Sequence, residues 1–202
     1  MSSPWHYMSP THNVRKFCVG PWENNVYVVA CAQTNEAVII DAAEEAERIV
    51  AETADVNPTS ILTTHGHFDH VGAARSVGDD LDIPFRMAEL DSDLAGIAPD
   101  EPLSEGDIPL GATSIRAIHT PGHTLGSTTL LIPGVAFTGD TLFPGGAGAT
   151  RSPGSSFQEI IASIEARLFT LPDNTIVMPG HGLDTTIGTE APSLQSWKDR
   201  GW

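Results

Sequence analysis

Four residues with metal-binding side chains sit within one short stretch, Thr64-His65-Gly66-His67-Phe68-Asp69-His70. Three more candidates follow far along the chain, at His123, Asp140 and His181. Imidazole and carboxylate groups suit zinc, iron and manganese, and a donor set without cysteine argues against a closed structural zinc site. In extended backbone, residues two apart point the same way, so His65 and His67 can share one ion. Asp69 and His70 lie where the chain turns into a helix and can face a second ion. Asp140 is the candidate for a carboxylate reaching two ions about 3.5–4 Å apart.

These residues need elements that bring them together, and each falls at the C-terminal end of an apolar, strand-like run. His65 and His67 follow Ser60–Thr63, His123 follows Thr113–Ile118, Asp140 follows Val135–Thr138, and His181 follows Thr175–Met178. Glycines stand beside them at Gly66, Gly122, Gly139, Gly180 and Gly182, where a crowded centre demands close backbone approach. Further strands are expected at Val14–Val19, Val26–Ala32, Ala37–Ile40 and Ile83–Ala88. Helices are expected over Glu44–Asp55, Asp69–Val77, near Glu89–Ala95, from Ser155 or Ser156 to about Phe169, and near Leu194–Arg200. Residues 1–13 read as a loose arm, 96–112 as a surface loop, and Phe143–Pro153 as irregular and Gly-rich. Strands interleaved with helices imply one α/β domain over residues 1–202, with mixed sheets and helices packed outside.

Several of these residues have a second reading. Asp69 also stands where a helix N-cap would be. Asp140 follows a glycine and could be a turn residue, and His181 alone could be a loop histidine. His119 reads as a core or supporting residue rather than a ligand, and His6 and His12 as solvated. It is the combination with the dense His65–His70 stretch that favours one joint site.

The formal charge of −16, from 26 acidic and 10 basic residues, makes nucleic acid an unfavourable partner. No apolar run approaches the roughly 20 residues of a membrane-spanning helix, and no signal peptide is visible. The two cysteines, Cys18 and Cys31, form no disulfide framework and read as buried free thiols. A cytoplasmic location and a small-molecule substrate are the default expectations.

The pattern His65-x-His67-x-Asp69-His70, then His123, Asp140 and His181, resembles the signature of the metallo-β-lactamase superfamily across about residues 20–185. The segments Thr64–Gly72, Thr120–Thr124 and Gly139–Phe143 resemble its glyoxalase II (hydroxyacylglutathione hydrolase) branch, in particular short single-domain members. The resemblance implies an αββα sandwich with the site at one edge of two sheets. It also implies His65, His67 and His123 on a first metal, Asp69, His70 and His181 on a second, and Asp140 bridging. Two divalent ions, zinc foremost with iron or manganese as alternatives, would then supply hydroxide for thioester hydrolysis, with Asp69 orienting it. Phe143 and the Gly-rich loop would wall the pocket, and Arg151 would meet a substrate carboxylate, unless it makes only a surface ion pair.

Two features set the chain apart from neighbouring branches. It has Asp140 where common dinuclear β-lactamases use cysteine, and the helical glutathione-binding domain of glyoxalase II is not seen after His181. The alternatives are a persulfide dioxygenase, with one iron on two histidines and Asp140, a lactonase, and a non-catalytic binding protein. The complete ligand set argues against the last.

Overall fold

The computed structural model describes residues 2–201. Its first sheet is built in chain order from β1 (Tyr7–Met8), β2 (His12–Val19), β3 (Asn24–Cys31), β4 (Glu36–Ile40), β5 (Asn57–Leu62), β6 (Phe85–Met87) and β7 (Glu101–Pro102). The first four strands run antiparallel as a meander, and β4 to β7 run parallel. Parallel pairs need crossovers. Helix α1 (Ala46–Glu52) connects β4 to β5, and α2 (Phe68–Val71) with α3 (Ala74–Leu81) connects β5 to β6. A short helix, α4 (Ser92–Ala95), lies between β6 and β7.

The second sheet contains β8 (Gly106–Leu110), β9 (Thr113–His119), β10 (Thr128–Ile132) and β11 (Val135–Gly139), each antiparallel to the next. A small hairpin of β12 (Leu142–Phe143) and β13 (Gly146–Ala147) follows. Then α5 (Phe157–Ser163), extended by a π-helical turn over Ile164–Leu168, leads to β14 (Ile176–Pro179), parallel to β11. The edge strand β15 (Thr185–Thr186), α6 (Ile187–Glu190) and α7 (Leu194–Arg200) complete the described chain.

The alternation of side chains makes three apolar layers. Tyr27, Val29, Val38, Ile40 and Leu62 point between the sheets and meet Leu110, Ile115, Leu130, Phe137 and Met178. Their neighbours Val28, Ile39 and Ile61 point the other way, onto Ile49 of α1 and Val77 of α3. Beyond the second sheet, Ile118 and Val177 pack on Ile160, Ile164 and Trp197. All eight residues of β3 are buried, as a central strand covered on both faces requires. This is the expected αββα sandwich.

Five local expectations are corrected. Residues 2–13 are not a loose arm. Tyr7 and Met8 pair with Val14 and Asn13, and Trp5 packs under the Arg15 guanidinium at 4.2 Å. Ser3 donates through its backbone N and its Oγ to Glu52, at 2.6 and 2.7 Å. His12 is buried in β2 rather than solvated. The 96–112 segment contains β7 and β8, the latter alternating buried Ile108 and Leu110 with exposed Asp107 and Pro109. Finally, one helix over 69–77 becomes two, broken between Val71 and Ala74. Both cysteines are free, but Cys18 is exposed and only Cys31 is buried.

Candidate metal centre

The C-terminal ends of β5, β9, β11 and β14 meet at one edge of the sandwich, and the loops leaving them carry every predicted ligand. His65 Nε2 lies 3.0 Å from His67 Nδ1, which in turn lies 2.9 Å from His123 Nε2. Three donors this close match the roughly 3.3 Å spacing expected around a tetrahedral zinc with bonds of about 2.0–2.1 Å. A second group converges beside them. His70 Nε2 and His181 Nε2 are 3.3 Å apart, and Asp69 Oδ2 is 3.3 Å from His181 and 3.8 Å from His70.

Asp140 stands between the groups. Its Oδ1 is 3.5 Å from His70 Nε2, and its Oδ2 is 3.6 Å from His123 and 3.8 Å from His181. Oδ1 is buried and has no hydrogen-bond partner among the described residues. An orphaned buried carboxylate oxygen is costly. A cation between these donors removes that cost, so the residues fit a metal pair. Asp69 is the second residue of α2 and not its N-cap, which is His67.

Hydrogen bonds on the far side of each ring aim the donors inward. Histidine Nδ1 can donate to Trp22 O from His181 (2.9 Å), to Ala149 O from His123 (2.7 Å) and to Asp41 Oδ2 from His70 (2.9 Å). In each case Nε2 is left with its lone pair toward the centre, as metal-binding histidines require. Gly180 explains the glycine beside His181. A Cβ there would run into Asp140 Oδ1 and the His70 ring.

The two groups differ electrically. Burial holds the His65 and His67 imidazoles below their ordinary pKa, reinforced by neighbouring histidines. Burial also opposes a charged His70, but the Asp140 and Asp41 carboxylates outweigh it and raise its pKa to about 9. For His181, burial is outweighed by the hydrogen bond to Asp69 and the charge of Asp140, and the pKa rises. Burial likewise opposes ionisation of Asp69, but His181, His70 and Asn24 hold its carboxyl well below the usual range. Without metal the second group is therefore an ion-paired cluster whose protons a cation would displace.

Several supporting residues escaped the sequence reading. Asp41 accepts from Thr64 N (2.7 Å) and Thr64 Oγ1 (2.8 Å) as well as facing His70. Its position at the end of apolar β4 is the same signal that marked Asp140. Asn24 Nδ2 donates to Asp69 Oδ2 at 3.0 Å. Asn25 Nδ2 donates to Pro179 O and Gly182 O, and Tyr27 Oη to Pro179 O, so the start of β3 grips the loop that presents His181. Asp91, buried, accepts from Gly66 N, Gly126 N and Thr124 Oγ1 and joins the His65–His67 loop to the loop after His123. No local pattern marks Asn24 or Asp91. Phe143 lies half-buried in β12, and Arg151 is exposed two residues beyond Ala149.

A model of the metallo-beta-lactamase superfamily matches residues 19–181. The chain belongs to this superfamily. Its hydroxyacylglutathione hydrolase relative GloC of Haemophilus influenzae is 34% identical over 90% of this chain and 96% of GloC. Among solved structures, the B3 metallo-beta-lactamase BLEG-1 is 34% identical with a TM-score of 0.80, covering 89% of this chain and 96% of that one. TTHA1623 in a di-iron-bound form is 36% identical with a TM-score of 0.78, covering 88% and 96%. The superfamily fold and the His/Asp cluster make this chain a metallo-hydrolase in the coarse sense.

Proposed function

We propose that the protein hydrolyses acyl thioesters with two divalent metal ions, zinc foremost, in a glyoxalase II-like reaction. The observation that carries this reading is the convergence of Asp69, His70 and His181 into a second donor group, with Asp140 placed between it and the first. A single-iron site would leave that second group without a task. The likeness to GloC supports the thioester class, and the di-iron form of TTHA1623 keeps iron in view as the metal.

When bound, the ions lower the pKa of water so that hydroxide is available near neutral pH, and they polarise the carbonyl. His65, His67 and His123 would hold one ion, and Asp69, His70 and His181 the other. Asp140 would reach both. Asp69 stays ionised and is fixed through Oδ2 by Asn24, which leaves its other oxygen to accept a proton-side contact from the attacking water and orient it. The loop from Phe143 through Arg151 flanks His123, where Phe143 would wall the acyl group and Arg151 would meet an acyl carboxylate. The substrate is a small molecule, and the free thiols of Cys18 and Cys31 support a reducing, cytoplasmic setting.

The test is turnover by metal-loaded protein of a panel that includes S-lactoylglutathione and simple S-acetyl thioesters. Hydrolysis that is lost on chelation and in Asp140→Asn supports the reading. A fully loaded protein inert to every thioester overturns it.

A further inference from the structure

Beside Asp69 opens a cavity of about 400 Å³ whose lining does not include His123. Its walls include Trp22 from the β2–β3 turn, Asn24 at the start of β3, Glu44 and Glu45 before α1, and Phe68 and Asp69 of α2. Trp22 and Phe68 are 61% and 66% exposed, a cost for large apolar rings that calls for an occupant. The rings meet edge to face, with centroids 6.1 Å apart at 79°.

The charged side chains that line the cavity are all acidic, and Asp69 among them is also a candidate metal donor. The lining contains no lysine, arginine or histidine. Glu45 is engaged, accepting from Gly20 N at 2.8 Å and pairing with Arg48 at 3.3 Å. Glu44 has no ion pair or hydrogen bond among the described residues, so its charge is uncompensated. Aromatic faces beside a free carboxylate recognise organic cations, because the ring quadrupole and the carboxylate both attract positive charge. The overall charge of −16 adds to the same field and repels anions.

We propose that this cavity is a subsite for an organic cation, and that it receives an ammonium-bearing thiol carrier of the substrate. The assignment of the carrier rests on the thioester reading above; the cation site itself does not. The acyl group then lies toward His123 and the departing sulfur toward Asp69. Anionic carriers meet Glu44 and are disfavoured.

Two measurements on the metal-loaded protein separate these ideas. In the first, tetramethylammonium chloride is titrated against the indole NMR signals, with sodium chloride as the ionic-strength control. Saturable shifts of the Trp22 signal are expected, weakened about 5- to 30-fold by Glu44→Gln and abolished by Phe68→Ala. Trp22 and Phe68 are exposed, so their loss leaves the core intact. Shifts that do not saturate, or that sodium reproduces, overturn the cation site. In the second, kcat/KM is compared for acetylthiocholine, S-acetyl-N-acetylcysteamine and S-acetyl-3-mercaptopropionate, whose carriers are cationic, neutral and anionic. The expected order is cation, neutral, anion, with the preference reduced in Glu44→Gln and reversed in Glu44→Lys. A preference for the anionic carrier that Glu44→Lys leaves unchanged overturns the assignment of the carrier. Saturable ammonium binding without hydrolysis of any thioester overturns the thioester reading, and the carrier with it, and leaves the cation site standing.

Discussion

Asp41 Oδ2 lies 2.9 Å from His70 Nδ1, and both side chains are buried. The same carboxylate holds Thr64, so one residue at the end of β4 fixes a ring in α2 and the strand end that leads into His65. Asp41→Asn keeps the size of the side chain but removes its charge. It is expected to weaken metal binding at the Asp69–His70–His181 group by about 10- to 100-fold, while the His65–His67–His123 group retains its ion. Competitive chelator titration of the variant and the parent measures this directly.

Gly180 packs against Asp140, which stands between the two donor groups, and against His70 of the second. Gly180→Ala is expected to fold normally and to lose about 10-fold or more in affinity for the second ion, because the new methyl displaces Asp140 and His70. Far-UV circular dichroism with metal titration checks both halves of the statement.

Much of this site was legible in the sequence because His65, His123, Asp140 and His181 each follow an apolar run and stand beside a glycine. Asn24 and Asp91 were not legible, because an asparagine or aspartate acting on residues 45 or 25 positions away leaves no local pattern. Fold errors have similar causes. β8 carries Gly106, Asp107 and Pro109, a composition tolerated in an edge strand but read locally as a loop. The first residues pair with β2 and pack on Arg15 and Glu52, and only that long-range packing orders them.

Arg15 anchors that N-terminal segment from inside. It is buried, contacts Ser3 O and Asp55, and lies 3.7 Å from Glu52. Arg15→Met is expected to destabilise the fold by about 3 kcal/mol, because Glu52 is left buried without its cationic partner. Urea denaturation of the two proteins measures the difference.

His12 gives a pH dependence away from the candidate metal centre. Burial lowers its pKa below 6.5, partly offset by a hydrogen bond with the backbone of Ser114. The unfolded chain therefore takes up this proton before the folded one. Stability from His12 is complete above about pH 6.5 and falls as the pH drops below it, by at most about 1.4 kcal/mol per pH unit. His12→Asn is expected to flatten the loss below pH 6.5 in denaturant titrations.

The central claim is that two metal groups share Asp140, and a metal count on the purified protein tests it most directly. Elemental analysis is predicted to give two divalent ions per chain, falling to one in His181→Ala. One iron per chain, unchanged by His181→Ala, would contradict the account.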